Sequence, residues 1–118
     1  MAFPAENIRD WRTQDVVDQT GSKIGSLESI YFDTTTDEAA FASVRTGVLT
    51  HRLTFVPLAG AVVAPTYLKV QVDKKLVKDA PSIDLDGELT RDDEPGLFQH
   101  YGLAYTAGPA GERRLGRR

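Results

Sequence analysis

The spacing of apolar and polar residues predicts a series of short β-strands up to residue 72. The clearest alternation lies near the end of this series, where Leu68, Val70 and Val72 are separated by single residues. This is the pattern of a strand with one buried face. Four further short segments, separated by glycine, proline or polar turns, are predicted as strands: Val16–Val17, Ala40–Thr46, His51–Leu58 and Val62–Val63. A series of short strands, each separated from the next by a turn, is typical of a small antiparallel barrel or sandwich.

The segment Gly21–Asp33 is predicted to be a further strand, although its spacing also suits a helix. Its apolar residues recur every three positions, beginning with Ile24 and Leu27. We favour a strand because Gly21 and Gly25 disfavour a helix over so short a span. A β-bulge near Gly25 or Ser26 would also bring Ile24 and Leu27 to the same face of that strand.

Beyond residue 72 the pattern changes to short helices. Asp73 is predicted to cap a helical turn at Lys74–Lys78, which Pro81 ends. A second helix follows an acidic stretch, and its apolar face is made of Leu97, Phe98 and Tyr101.

The ends of this second helix carry their own signals. Its start has two interpretations: a capping box at Thr90–Asp93, or a start nearer Asp93 that places Pro95 in the first turn. Gly102 is predicted to end the helix, with Leu103 packing back in a Schellman arrangement.

Composition and charge fit one globular domain with an acidic body and a basic tail. The chain has 118 residues, of which 41% are hydrophobic and 26% charged. The net charge is −3, yet the last seven residues carry +3 from four arginines and one glutamate, which leaves −6 for the remainder. The residues from Ala104 onward are small, glycine-containing and basic, and are predicted to be flexible.

The residue types present limit the chemistry and the expected location. No cysteine occurs, which excludes disulfides and thiolate chemistry. The N-terminus has no apolar signal sequence, and no apolar run of 18 residues occurs, so we expect a cytoplasmic protein without a membrane helix.

No catalytic motif is recognisable. The only two histidines are His51, among polar neighbours, and His100, near the end of the second helix, where a capping or surface role is expected. No zinc-protease, phosphate-loop or nucleophile-elbow motif is present, so we expect no enzyme activity and no cofactor.

Acidic residues cluster between residues 84 and 94. Asp84, Asp86 and Glu88 alternate, and Asp92–Glu94 follow shortly after. Alternating carboxylates with a glycine can bind Ca²⁺, but the EF-hand spacing is not met. A solvated acidic loop is therefore the favoured interpretation, and no metal site is predicted.

Several short stretches resemble, in order and spacing, those of the PRC-barrel domain family. They are Gly21–Leu27, Val44–Gly47, Phe55–Leu58, Leu68–Val72, Val77–Pro81 and His100–Leu103. The last two resemble the C-terminal extension of bacterial, especially actinobacterial, stand-alone members. The family includes the cytoplasmic domain of the photosynthetic reaction centre H subunit and the C-terminal domain of the ribosomal RNA maturation factor RimM. The resemblance implies a six-stranded β-barrel that serves as a docking module, with no catalytic residues.

With this resemblance the chain divides into four parts. Residues 1–14 form an N-terminal arm, 15–81 a PRC-barrel-like β-barrel, 82–103 an acidic segment with the C-terminal helix, and 104–118 a flexible basic tail. The predicted fold class is therefore mainly β: a small antiparallel PRC-type β-barrel of five to six strands with a short C-terminal α-helical extension.

The favoured function is a self-associating protein-interaction module, a homodimer with an unknown protein partner. The expected interaction surface comprises Val48, Leu49, His51, Arg52, Leu97, Phe98 and Tyr101. One alternative is an RNA- or ribosome-associated factor whose tail contacts phosphates through Arg113, Arg114, Arg117 and Arg118. A second alternative is a barrel that binds a small ligand or a metal.

Overall fold

The computed structural model describes residues 14–46, 52–84, 87, 89–103, 105 and 115–117. Its strands are β1 Asp15–Val17, β2 Lys23–Asp33, β3 Ala39–Thr46, β4 Arg52–Pro57, β5 Val62–Val63, β6 Tyr67–Lys69, β7 Ser82–Asp84 and β8 Leu115–Arg117. The helices are α1 Lys74–Lys78 and α2 Glu94–His100, and a 3-10 turn at Arg91–Asp93 leads into α2. The mainly β prediction, with a short C-terminal helix, is confirmed.

The described strands form one sheet in the order β5-β6-β1-β2-β3-β4-β7, and β8 adds to β2. Neighbours are antiparallel except for β1 and β6, which run parallel. The predicted strand at 68–72 is shorter than expected, because β6 ends at Lys69. Its alternation nevertheless holds, since Leu68 and Val70 are both fully buried.

A bulge in β2 confirms the interpretation of its glycine-containing start. Val16 pairs with Gly25 and Val17 with Lys23, which leaves Ile24 as the extra residue. Ile24 and Leu27 consequently both contact the same core. The bulge thus explains how residues spaced by three share one face of a strand.

Both faces of the sheet are covered by apolar side chains. The first core contains Val16, Leu27, Ile30, Phe32, Ala42, Val44, Val56, Leu58, Leu68, Val70 and Val77. The second core contains Tyr31, Phe41, Phe55, Leu89, Leu97 and Leu115. Neighbouring residues on β3 belong to different cores, because successive side chains of a strand point to opposite faces.

The second core is built from the C-terminal third of the chain as well as from the sheet. Leu97 of α2 and Leu115 of β8 are fully buried in it. β8 pairs antiparallel with β2, with Asp33 opposite Leu115. The prediction of a flexible tail over 104–118 is therefore wrong for Leu115–Arg117, which lie in the sheet.

The predicted end of α2 is also present. Gly102 has φ 69°, and its amide donates to the Gln99 carbonyl at 3.0 Å. The Leu103 amide donates to the Phe98 carbonyl at 2.9 Å. These two bonds define a Schellman motif. At the other end the helix begins at Glu94 with proline in its first turn, which is the second of the two predicted starts.

Candidate functional site

The apolar face of α2 packs on the sheet of its own chain. Leu97 is fully buried, and Phe98 packs against the second core. The Tyr101 hydroxyl donates to the Phe55 carbonyl at 2.6 Å, and burial raises the pKa of Tyr101 above its usual range. This corrects the prediction that Leu97 belongs to an interaction surface, because a completely buried side chain offers none. It also removes one reason for expecting self-association.

Arg52, another predicted surface residue, makes contacts within the chain. Its guanidinium lies across β4 and β7, where Nη2 donates to the Ser82 carbonyl at 3.0 Å and to the Ser82 hydroxyl at 3.1 Å. The remaining predicted surface residues, Val48, Leu49 and His51, lie outside the described residues.

Aromatic side chains line the contact between α2 and the sheet. Tyr31 and Phe55 meet edge to face with ring centroids 5.2 Å apart, and Phe41 and Phe98 are also 5.2 Å apart. Tyr105 meets Phe98 edge to face at 5.0 Å. Such pairs contribute about 0.5–1.5 kcal/mol each beyond the burial of their area. The helix is therefore held by specific packing as well as by hydrophobic burial.

Glu94, the first residue of α2, is a fully buried carboxylate at the edge of the second core. Its Oε1 accepts a hydrogen bond from the Tyr105 hydroxyl, and its Oε2 accepts one from the Leu115 amide, both at 2.8 Å. The carboxylate thus joins the start of α2 to β8. Burying a polar group is costly unless it is hydrogen-bonded, and both oxygens of Glu94 are hydrogen-bonded.

The sequence does not distinguish Glu94 from its acidic neighbours. Asp92 and Asp93 are exposed, whereas Glu94 one position later is buried. The only local signal is the following Pro95, which marks a first helical turn but does not indicate the face that is covered. Tyr105 and Leu115, which donate to Glu94, are 11 and 21 residues away, so the tertiary fold brings them to this carboxylate.

Asp18 is a second buried carboxylate, and it organises the turn between β1 and β2. Its Oδ1 accepts hydrogen bonds from the Thr20 and Ser22 amides, each at 2.9 Å, and from the Thr20 hydroxyl at 2.7 Å. Its Oδ2 accepts one from the Lys74 amide at 3.0 Å. Asp18 therefore caps the start of α1 from 56 residues away in the chain.

This arrangement corrects the prediction that Asp73 caps α1. Asp73 occupies the N-cap position, but its side chain makes no capping hydrogen bond. Its carboxylate instead accepts a hydrogen bond from the Gln19 amide group. The turn at residues 18–22 and the start of α1 are thus linked by two carboxylates, each reaching across to the other segment.

The Asp18 hydrogen bonds predict a specific dependence of stability on pH. The Thr20 hydroxyl, together with the three backbone amides, lowers the pKa of Asp18 from 3.8 to about 2 against the opposing effect of burial. The unfolded chain therefore binds more protons at this residue between these two pH values. The stabilisation is complete above pH 3.8 and is lost as the pH falls towards 2.

We expect Asp18→Asn to be less stable than the wild type at neutral pH, with a difference that narrows as the pH falls from 4 to 2. Urea denaturation at a series of pH values measures this difference. Asp92→Asn, which removes an exposed charge, is the control for a general electrostatic effect. A constant difference between wild type and Asp18→Asn across this range would contradict the assignment.

His100 joins the two helices. Its Nε2 lies 2.7 Å from the Leu76 carbonyl oxygen of α1, which requires the ring nitrogen to donate. The capping or surface role predicted for His100 agrees with this position near a helix end. The contact is with a carbonyl of the other helix rather than of its own.

The described residues include some of the side chains considered for metal and nucleic-acid binding. Among the described residues, no three His, Asp or Glu side chains group closely enough to hold a metal ion. The side chains of Asp84, Asp86 and Glu88 lie outside that part. Arg117 lies in β8, whereas Arg113, Arg114 and Arg118 lie outside the described residues. Phosphate contacts by the basic tail stay a prediction.

The most exposed large apolar side chains on the sheet lie at its β5 end. Val62 is 47% exposed and Tyr67 39% exposed. Val62 pairs with Lys69, two positions from Tyr67 on β6, so these three residues share one face of the strand pair. The opposite face carries Val63 and Leu68, which contact the first core. We call the face formed by Val62, Tyr67 and Lys69 the outer face.

Comparison with family models gives one match. The model of the PRC-barrel domain matches residues 4–77, which is more than half of the chain. No curated protein matches the sequence. Within the described part of the chain, no helix has the length and apolar character needed to cross a bilayer.

Proposed function

Since this chain belongs to the PRC-barrel domain family, we propose that it is a non-enzymatic protein-interaction module of this family. The observation that carries the proposal is the exposure of Val62 and Tyr67 on the outer face. Exposed apolar residues grouped on one face of a sheet are typical of a contact surface rather than of a solvated one. The partner proposed for this face is another protein.

The composition of the outer face supports a protein partner. Tyrosine is enriched at protein interfaces because its ring buries a large area while its hydroxyl stays hydrogen-bonded. Lys69 lies opposite Val62, and the Lys23–Asp15 ion pair at 3.2 Å joins β1 and β2 next to β6, so charged side chains border the two apolar ones. An apolar centre with a charged border is the usual arrangement of such a surface.

The test compares capture of partners from native lysate by wild type and by the double variant Val62→Ser/Tyr67→Ser. We expect the amount of the specific partner captured by the double variant to fall about tenfold or more. Buried aromatic contacts dominate interface energies, and the variant removes one. Leu76→Ser is the matched control, since Leu76 is also 39% exposed but lies on α1. Equal capture by all three proteins would contradict the role of the outer face.

We also propose that the module forms a homodimer in solution. The strand order supports this, because β5 and β7 have a sheet neighbour on one side only within the described part of the chain. Unpaired strand edges are places where another chain can add. Light scattering over micromolar concentrations measures the mass of the particle and distinguishes a dimer from a monomer.

A further inference from the structure

The outer face lies on the same side of the sheet as the second core. Arg45 and Phe41 are four positions apart on β3 and therefore share one face of it, and Phe41 belongs to the second core. Arg45 pairs with Ser26 of β2, and Ser26 pairs with Asp15 of β1. Asp15 in turn pairs with Tyr67 of β6, so the same face continues from β3 to the outer face.

The two parts of this surface differ in what covers them. Over the second core, α2 closes the surface with the side chains of Leu97 and Phe98. On the outer face, Val62 and Tyr67 remain 47% and 39% exposed. The outer face is thus an open apolar area on the side of the sheet that a helix has closed elsewhere.

The charges around the outer face leave one cation without a counter-charge. Lys23 pairs with Asp15 at 3.2 Å, and Arg45 pairs with Glu28 at 3.1 Å. Lys69 makes no ion pair within the part of the chain that the structure describes. Its ammonium group is therefore the uncompensated charge that a partner would meet on this face, and a carboxylate complements it.

Strand geometry sets the spacing between this cation and the apolar side chains. Lys69 lies directly opposite Val62, which places their Cβ atoms about 4.5–5.5 Å apart. Tyr67 precedes Lys69 by two positions on β6, at a distance of about 7 Å. A partner must therefore present an apolar side chain and a carboxylate within about 7 Å of each other. Residues two apart in a strand, or three or four apart in a helix, have this spacing.

A short acidic segment of a protein fits these charges better than a polyanion does. Residues 1–111 carry a net charge of −6, so this body repels a nucleic acid or an anionic membrane. The single ammonium group of Lys69 can orient one carboxylate, but it does not offset that repulsion. The charge balance therefore favours a partner with few carboxylates placed beside an apolar residue.

We propose that the outer face binds an acidic peptide segment of a partner protein. A carboxylate of this segment pairs with Lys69, and an apolar side chain next to it lies on Val62 and Tyr67. The apolar contact supplies most of the affinity, whereas the ion pair selects the partner and fixes its orientation. This inference rests on the proposed role of the outer face in protein binding and adds the chemistry of the partner.

A displayed library of random short peptides tests the proposal on the full chain. We expect the peptides that bind the wild type to share an aromatic or aliphatic residue with Asp or Glu two to four positions away. A selected peptide carrying a fluorophore should bind Lys69→Glu about tenfold more weakly in fluorescence anisotropy, because reversal of the charge turns attraction into repulsion. Replacing the acidic residue of that peptide by lysine should restore its binding to Lys69→Glu.

Lys75→Glu is the matched control for the charge reversal. Lys75 is an exposed lysine of α1, and its substitution changes the net charge of the protein by the same amount. We expect its affinity for the selected peptide to stay within about twofold of the wild type, because salt screens distant exposed charges. Equal weakening by both substitutions would assign the effect to net charge and overturn the pairing with Lys69. Binding of the lysine-containing peptide to Lys69→Glu establishes that this variant is folded.

The outcomes separate this inference from the role of the outer face itself. Acidic peptides that depend both on Lys69 and on the two apolar residues support it. Peptides that require Val62 and Tyr67 but share no acidic residue overturn the acidic partner and leave the outer face as a protein-binding surface. If no selected peptide loses affinity for Val62→Ser/Tyr67→Ser, the inference is overturned, and the lysate comparison decides the role of the outer face independently.

A second copy of the chain is the other possible occupant, and light scattering identifies it. A wild-type dimer that Val62→Ser/Tyr67→Ser dissociates would show that the outer face is covered by the same face or another surface of a second copy. That result would also overturn the acidic peptide as its occupant. A particle mass unchanged by the double variant leaves the outer face open to the peptide, as the inference requires.

Discussion

Replacing Gly25 with alanine is expected to lower the free energy of unfolding by about 3 kcal/mol, at the upper end of the cost of overpacking a core. A Cβ built on Gly25 would lie well inside contact distance of the Arg45 carbonyl oxygen and 2.8 Å from Val44 Cγ1. The backbone of β3 would have to move, because a carbonyl oxygen in a strand ladder cannot rotate away. Urea denaturation monitored by circular dichroism measures the change.

Gly96→Ala is the matched control for this prediction. Gly96 lies within α2, and a Cβ built there meets no atom within 4 Å. Alanine in an exposed helical position is favoured over glycine by about 0.5–1 kcal/mol, so this variant should be more stable than the wild type. Opposite signs for the two substitutions would identify steric conflict as the cause. If Gly25→Ala lowered the free energy of unfolding by less than about 1 kcal/mol, β2 and β3 would be able to separate at little energetic cost.

Glu94→Ala is expected to lower the free energy of unfolding by about 2–4 kcal/mol, since it leaves the buried Leu115 amide without the carboxylate oxygen that accepts its hydrogen bond. It also removes the acceptor of the Tyr105 hydroxyl. This is a large share of the 5–15 kcal/mol by which a domain is typically stable. Hydrogen exchange adds a local measurement, because β8 should lose protection before the central strands do.

Two further variants separate the hydrogen bonds of Glu94 from its charge and volume. In Glu94→Gln the amide oxygen can still accept from Leu115, and the amide nitrogen can donate to the Tyr105 hydroxyl oxygen. We expect Glu94→Gln to lower the free energy of unfolding by about 1 kcal/mol. Asp92→Ala, two residues earlier and exposed, should change stability by no more than about 0.5 kcal/mol. If Glu94→Ala behaved like Asp92→Ala, the carboxylate would not anchor β8.

The features that the sequence predicts correctly are those that depend on neighbours a few residues away. Alternation at residues 68–72 marks a strand because successive side chains point to opposite faces. Gly102, predicted to end α2, adopts φ 69°, a left-handed conformation that glycine reaches without a clash of a Cβ atom. The apolar face of α2 and its Schellman end follow from helical periodicity and from Gly102 in the same way.

The role of Gly25 could be predicted only in part. The sequence indicates a bulge near this residue, and the register confirms it. It does not indicate that the backbone of β3 lies against the Cα of Gly25, because Arg45 is 20 residues further along the chain. The requirement for glycine here comes from close approach between strands, a property of the sheet rather than of the turn.

Only the tertiary structure decided which polar residues are buried and where the C-terminal strand β8 docks. Asp18 and Glu94 resemble any surface carboxylates in the sequence, yet both are buried, and each accepts a hydrogen bond from a distant backbone amide. That of Asp18 comes from Lys74, 56 residues away, and that of Glu94 from Leu115, 21 residues away. Leu115–Arg117 is too short to carry a periodic pattern, so its strand exists only because β2 offers an open edge and the second core offers space for Leu115. Local stereochemistry thus determined the strands, turns and helix ends from the sequence itself. The burial of charge, the docking of β8 and the residues left exposed depend on which distant segments meet.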